Sequence, residues 1–259
     1  MSFPKSSPLA SRFDWVATTG STNTDLLASA KAQTSDFGHF SVLVAAEQTA
    51  GRGRSGREWQ APAGSSLFVS VLLRPSTVPA TQFAWLPLIA GLAMANAVSQ
   101  FAASQRATVK WPNDVLIGDK KVCGVLSELL PDANGVVIGA GVNIFQNVEQ
   151  LPVETATSLS IEGIHIESID DLLAAYLKNL RSLVDDFIAL AGEVGDSELH
   201  SQISEACATI GREVRVVLPD DKEFLGEAIA IDTVGRLVVK NKSETRSVSV
   251  GDVVHLRHN

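Results

Sequence analysis

Residues Gly51-Arg52-Gly53-Arg54-Ser55-Gly56-Arg57 set three guanidinium groups among three glycines. Arginine offers a planar pair of donors that suits carboxylate or phosphate, and glycine lets backbone amides come close to an anion. Such a segment suits closing over an anionic ligand better than packing into a core. The alternatives to that reading are a solvated basic loop and an RNA-binding Arg–Gly segment. The spacing Gly51-x-Gly53-x-x-Gly56 matches the dinucleotide fingerprint, but that fingerprint needs a helix to open at once and an acidic residue about 20 positions on. Here Trp59, Pro62 and Gly64 follow, and the distant position falls at Arg74–Ser76. A Gly-x4-Gly-Lys-Ser/Thr phosphate loop occurs nowhere in the chain.

A second constellation is Lys110-Trp111-Pro112-Asn113-Asp114, with an ammonium, an amide and a carboxylate inside five residues and a proline to fix their geometry. Such a group can hold a carboxylate or phosphate and reach a phosphate-bound metal. With Lys121, the cations available for anion chemistry are Arg52, Arg54, Arg57, Lys110 and Lys121.

Elements on either side must position these groups. Phe13–Thr19 has strand character, and Ser21-Thr22-Asn23 supplies helix-capping side chains before Leu26, Leu27 and Ala30 at helical spacing. Ser41–Ala46 and Ser66–Leu73 are apolar runs of strand length. Phe83–Val98 is too short and too interrupted for the roughly 20 apolar residues of a membrane span, so a buried helix is expected. Ala107–Lys110, Val115–Ile117, Val122–Leu130 and Val136–Ile144 follow as strands, with turns at Gly118-Asp119-Lys120 and Asn134-Gly135. Strands in runs predict a mixed sheet rather than alternating βαβ units. A long amphipathic helix begins after Ser168, with Asp171 placed to complete its cap, and a shorter one covers Ser197–Cys207. From Gly211 onward Val214–Leu218, Phe224–Ile231, Leu237–Val239, Ser247–Val250 and Val253–Leu256 alternate with turns at Asp220-Asp221, Val234-Gly235 and Gly251-Asp252. This pattern predicts a small barrel.

The composition narrows the function. A net charge of −8 over 259 residues opposes bulk attraction to nucleic acid or anionic membrane. Cys123 and Cys207 are the only cysteines, and neither has metal-site spacing. Met1–Phe13 lacks a signal-peptide core, so a cytoplasmic protein is expected.

Five strings occur in one order: Ser21-Thr22-Asn23, Glu47 through Arg57, Lys110 through Val115, Lys121-Val122-Cys123-Gly124-Val125-Leu126, and Gly139-Ala140-Gly141-Val142-Asn143-Ile144. The ordered set resembles the biotin protein ligases, over about residues 13 to 145. The resemblance implies an α+β fold: a mixed β-sheet with flanking helices, of the class II aminoacyl-tRNA synthetase/biotin ligase kind, over residues 1–209. A small SH3-like β-barrel is implied over residues 210–259. It implies ATP, biotin and Mg²⁺ as substrates and cofactors, biotinyl-5′-adenylate as intermediate, and a lysine of a biotin carboxyl carrier domain as acceptor.

By the same resemblance Ser21, Thr22, Asn23 and Gln48 line the biotin head, and Gly51, Arg52, Gly53, Arg54 and Arg57 close over biotin and adenylate. Lys110 holds the reacting carboxylate and α-phosphate, with Arg54 as the other catalytic cation. Asn113, Lys121, Gly124, Gly139, Gly141 and Asn143 approach the ligand. Trp59 either stacks on adenine or anchors its loop. Asp114 and Glu128 are candidates for taking a proton from the acceptor lysine. The loop is expected to be disordered or open without ligand and ordered with it. Where many relatives carry an acidic residue this chain has Gly20, and Cys123 stands where alanine is common, a difference expected to alter the pocket slightly. Twenty residues precede Ser21, too few for the DNA-binding domain of some relatives, so a monofunctional ligase without DNA binding is expected. The rival readings are a lipoate–protein ligase, a catalytically silent ligand-binding regulator and a nucleic-acid-binding module.

Overall fold

A computed structural model describes residues 1–32, 36–103, 105–218, 222–249 and 251–256. Seven strands form the main sheet: β1 (Arg12–Thr19), β2 (Ser41–Gln48), β3 (Ser66–Leu73), β4 (Ala107–Lys110), β5 (Asp114–Ile117), β6 (Lys120–Leu129) and β7 (Val136–Asn143). Their spatial order is β1-β2-β3-β7-β6-β5-β4, with β1 and β2 parallel and every other pair antiparallel. The mixed sheet read from the runs of strands is therefore present.

Helix α1 (Thr22–Lys31) covers one face, where Leu26 and Ala30 join Leu43, Leu72, Leu130 and Val137 in a small cluster. Helix α2 (Leu86–Ser99) lies on the other face, and α3 (Ile169–Ala189) packs over α2. Covered by the sheet on one side and α3 on the other, α2 is apolar nearly all round, with eleven buried residues. That double covering accounts for the apolar run around Phe83–Val98, whose first residues form a 3-10 turn, Ala80–Trp85. Pro87 falls at the helix start, where no backbone N–H is needed. Ser168 caps α3 by accepting from Asp171 N. The buried Asp170 beside it accepts from the backbone of Lys5 (2.8 Å) and Ser6 (3.0 Å), which ties the N-terminal segment to the start of α3.

One irregularity decides which side chains reach the site. Val115 pairs with Cys123 but Leu116 pairs with Lys121, so Val122 is an extra residue in β6. The bulge breaks strict alternation: Val122 and Cys123 both enter the main core, while Lys121, Gly124 and Leu126 share the opposite face. Cys123 is fully buried away from the cleft, which corrects the expectation that its side chain alters the pocket.

The turn near Asn134-Gly135 also differs from its sequence reading. β6 and β7 do pair, but the left-handed residue is Ala133, with φ 53°. Gly135 serves close approach instead: a Cβ there would stand 2.6 Å from the Leu73 carbonyl oxygen.

After α4 (Glu198–Ala206), strands β8 (Glu213–Val217), β9 (Glu223–Ile231), β10 (Leu237–Lys240), β11 (Thr245–Val248) and β12 (Asp252–His255) form a second, antiparallel sheet in the order β11-β10-β9-β8-β12. The strand expected at Ser247–Val250 begins two residues earlier, because Thr245 already pairs with Lys240. Val250 and the turn expected at Asp220-Asp221 lie outside the described residues.

Candidate active site

Two adjoining clefts open on the α1 side of the main sheet. The narrower is lined by Ser21, Thr22, Asn23, Gln48, Arg52, Trp59, Gly124, Leu126, Gly139 and Gly141. Strand alternation builds its floor: Gly139 lies between Ser70 and Leu126, and Gly141 between Phe68 and Gly124. Glycine at 124, 139 and 141 leaves that floor free of side chains.

The polar wall is tied together before any ligand arrives. Gln48 Oε1 accepts from Thr22 N (2.8 Å) and Thr22 Oγ1 (3.0 Å). The buried Ser70 hydroxyl bridges Thr22 Oγ1 (2.8 Å) and Asn23 Oδ1 (2.6 Å). Asn23 Nδ2 then donates to Glu128 Oε2 (3.0 Å). Hydroxyl and amide groups dominate, which suits a neutral polar ligand.

The Gly–Arg segment folds as a small hairpin rather than an irregular loop. Arg52 bridges to Glu58, Gly53 N donates to Arg57 O (2.7 Å), and Trp59 N donates to Gly51 O (2.9 Å). Its tip needs left-handed backbone at Ser55 (φ 55°) and Gly56 (φ 72°). No helix opens after it, in keeping with rejection of the dinucleotide fingerprint. At the end of the hairpin the Trp59 ring lies on the glycine floor: a Cβ at Gly124 would stand 2.7 Å from it and a Cβ at Gly141 2.8 Å. With the ring there, the narrow cleft keeps a free volume of only about 30 Å³.

The wider cleft, of about 320 Å³, is lined by Arg52, Gly53, Arg54, Arg57, Trp59, Lys110, Asn113, Asp114, Lys121, Gly124 and residues 252–254 of the second sheet. Its cations fall into two sets. Arg52 is paired with Glu128 (2.7 Å), Lys121 with Asp114 (2.7 Å) and Arg57 with Asp252. Arg54 instead donates to two neutral acceptors, Asn113 Oδ1 (2.9 Å) and Gly251 O (3.2 Å). The Lys110 ammonium has no hydrogen-bond or ion-pair partner among the described residues. Burial holds the Lys110 ammonium below its ordinary pKa; Asp114 opposes this and Lys121 adds to it. Burial likewise lowers Arg54, against the pull of Asp252 and Asp114.

Of the seventeen residues expected to contact biotin or adenylate, fifteen line one or both clefts, and two do not. Gly51 works through its backbone under Trp59. Asn143 is buried, donating to Thr157 O (2.9 Å) and accepting from Gln146 (3.1 Å), so its amide is used in holding the segment that follows β7. Sequence reasoning did not single out Ser70, whose only signal is one hydroxyl in the middle of an apolar strand. Gly251 and Asp252, read there as a turn, bring the second sheet to the wider cleft. Among the described residues no group of three His, Cys, Asp or Glu side chains is placed to hold a metal.

The comparisons agree with this geometry. The Biotin/lipoate A/B protein ligase family profile matches residues 15–143, and the biotin protein ligase C-terminal domain matches residues 209–256. Biotin--[acetyl-CoA-carboxylase] ligase of Mycobacterium tuberculosis is 39% identical over 248 residues, 95% of this chain and 90% of that protein. The bifunctional ligase/repressor BirA of Escherichia coli is 33% identical over 204 residues, 77% of this chain and 61% of that protein. Among solved structures, the Aquifex aeolicus biotin protein ligase in complex with biotin and ATP superposes with a TM-score of 0.79 at 25% identity, over 95% of this chain and 99% of that one. The α+β fold with an SH3-like second sheet is that of these proteins, and the chain belongs to the biotin protein ligase family.

Proposed function

We propose that the chain forms biotinyl-5′-adenylate from biotin and ATP and then passes the biotinyl group to one lysine of a biotin carboxyl carrier domain. The observation that carries this reading is the contrast between the cations of the wider cleft: Lys110 faces it unpaired, while Arg52, Arg57 and Lys121 are each engaged by a carboxylate. Biotin carboxylate and α-phosphate are both anionic, and two unit charges about 4 Å apart repel by about 4 kcal/mol at an effective dielectric near 20. An uncommitted, half-buried ammonium placed between them offsets that repulsion without first breaking an ion pair.

In this reading the ureido ring enters the narrow cleft among Ser21, Thr22, Asn23 and Gln48, over the floor of Gly124, Gly139 and Gly141. The remaining space there is far too small for a bicyclic ring, so Trp59 and the hairpin that carries it lift to admit biotin and close again over the adenylate. The adenylate extends into the wider cleft beside Gly53, Arg54, Asn113 and Lys110. Carboxylate oxygen attacks the α-phosphorus, the α–β phosphoanhydride bond breaks, and pyrophosphate leaves. Mg²⁺ brought in on the nucleotide would neutralise part of the phosphate charge.

The acceptor amine then attacks the anhydride carbonyl, and AMP leaves with the bonding electrons. A lysine near its ordinary pKa requires roughly 4–5 kcal/mol to be neutral at pH 7. Asp114 and Glu128 are each held by a cation, Lys121 and Arg52, so either would first loosen that pair to take the proton. Residues 1–209 carry these groups, and residues 252–254 of the second sheet close the wider cleft.

The test is pyrophosphate release from Mg-ATP with biotin or with lipoate. Biotin-dependent release is expected; no release, or equal release with lipoate, overturns the assignment.

A further inference from the structure

The strand that ends in Lys110 is the outermost of its sheet, so β5 supports it on one side only. Its other side is met by the segment leading into the second sheet: Ala208 N donates to Val109 O (2.8 Å), and Val109 bridges Cys207. One residue further the support becomes side-chain chemistry. Trp111 N donates to the hydroxyl of Thr209 (3.0 Å), a residue with no solvent exposure. That hydroxyl also lies 3.0 Å from Nε2 of His255, the last residue of β12. The Trp111 indole donates to Gly235 O (3.0 Å), in the turn between β9 and β10. Two separate parts of the carboxy-terminal region, at Thr209 and Gly235, thus grip the residue that follows Lys110, and His255 stands behind the Thr209 hydroxyl.

We propose that Thr209 and His255 are positioning residues for Lys110, fixing through the Trp111 amide where that ammonium stands in the cleft. The proposal rests on the role given to Lys110 above. Because Lys110 has no partner of its own, its location depends on its backbone and on how little that backbone moves. A threonine hydroxyl can accept from the Trp111 amide and donate its own proton to an unprotonated imidazole nitrogen, which satisfies both buried groups at once. The surroundings keep His255 in that neutral form: burial lowers its pKa, Lys110 and Arg212 add to the effect, and Asp119 opposes it. The Cys207 thiol sits in the same cluster and stays protonated, pushed up by burial against the nearby amides and the Thr209 hydroxyl. A valine at 209 would keep the shape and take the oxygen acceptor from the Trp111 amide, leaving only the weak Cys207 sulfur beside it. The corner would then shift to find one, and small displacements of a catalytic group cost rate steeply.

The experiment compares Thr209→Val, Thr209→Ser and His255→Gln in the full chain by two readouts. The first is the acetylation rate of Lys110 by acetic anhydride, measured by mass spectrometry with Lys121 as internal reference, which needs no substrate. The second is biotin-dependent adenylation. Thr209→Val is expected to change Lys110 labelling severalfold and to lower kcat by about tenfold or more, with the KM for biotin held within about twofold. Thr209→Ser restores both, and His255→Gln gives a smaller change in the same direction. Unchanged labelling of Lys110 in Thr209→Val overturns the proposal, as does Thr209→Ser behaving like Thr209→Val. If the valine variant fails to fold, His255→Gln decides: unchanged Lys110 labelling there also overturns it. Altered labelling with unaltered kcat supports the positioning and overturns the role of Lys110 instead, so the two failures are distinguishable.

Discussion

The two clefts share Trp59, Arg52 and Gly124 but are built on different principles. The narrow one is made by the sheet and the first turn of α1, and its polar groups are hydrogen-bonded to one another in a chain from Gln48 through Thr22, Ser70 and Asn23 to Glu128. The wide one is assembled from a hairpin, the β4–β5 corner, β6 and the second sheet. Ion pairs close it, and they must exchange when an anion arrives. A neutral ligand profits from a prebuilt surface because every donor and acceptor is already aimed. A polyanion profits from cations parked on carboxylates, because the site then tolerates its own charge until phosphate replaces them.

The largest expected effect tests the exception to that parking. Lys110→Ala should lower biotin adenylation by about two to three orders of magnitude, in line with removal of a fixed charge from a reacting centre. Since Lys110 has no side-chain partner among the described residues, its melting temperature should stay close to that of the parent protein. An active variant would show that the paired cations suffice and that the contrast between the two sets means nothing.

Next comes a change in the prebuilt cleft. The space above Gly139 is filled by the Asn23 carboxamide, which a Cβ would strike. Gly139→Ala therefore pushes Asn23 off Ser70 and Glu128, and isothermal titration should show biotin binding weakened about tenfold or more. Binding of ATP should change far less. Equal losses for both ligands would mean that the two clefts are one unit.

The strands of this fold were legible as short apolar runs bounded by turn residues, and the glycines and cations of the site from their order along the chain. What escaped does so for physical reasons. The bulge at Val122 inverts the facing of Cys123, and no residue type announces a bulge there. Thr209, Gly235 and Gly251 meet residues of the site region from 98 to 197 positions away, Gly235 and Gly251 through backbone carbonyls, and His255 stands behind Thr209. Carbonyls and amides leave no mark in a sequence. Ser70 was hidden by its strand, whose apolar residues serve both faces of the sheet: Leu67, Val69, Val71 and Leu73 join the main core and Leu72 the cluster under α1.

A smaller effect, on stability, comes from acid. His255, at the support of the wide cleft, is pushed down to about 4 from the usual 6.5 by burial and by Lys110 and Arg212. His39, beneath β3, is also lowered, by burial and by Arg181, and it accepts from Arg74 N (2.9 Å). The unfolded chain binds these protons more readily than the fold does, so their contribution is intact above pH 6.5 and is lost as pH falls below it, for His255 as pH approaches about 4. For the half-exposed His255 the contribution, discounted for solvent screening, is about 1 kcal/mol. Thermal melts between those pH values should fall less steeply for His255→Gln than for the parent. Equal slopes would remove His255 from the account.

The smallest expected effect bears on parking itself. Arg57 and Asp252 form an exposed pair across the two sheets, with side-chain exposures of 60% and 46%. Such pairs contribute about 0–1 kcal/mol and weaken with salt. If Asp252 only holds Arg57 until phosphate comes, Asp252→Asn should leave melting almost unchanged and lower the KM for ATP by about twofold at low salt, a gain that fades near 0.5 M salt. A rise in that KM would have the opposite meaning. The carboxylate would then be building the wide cleft, as Ser70 and Asn23 build the narrow one, and the two would differ in ligand charge alone.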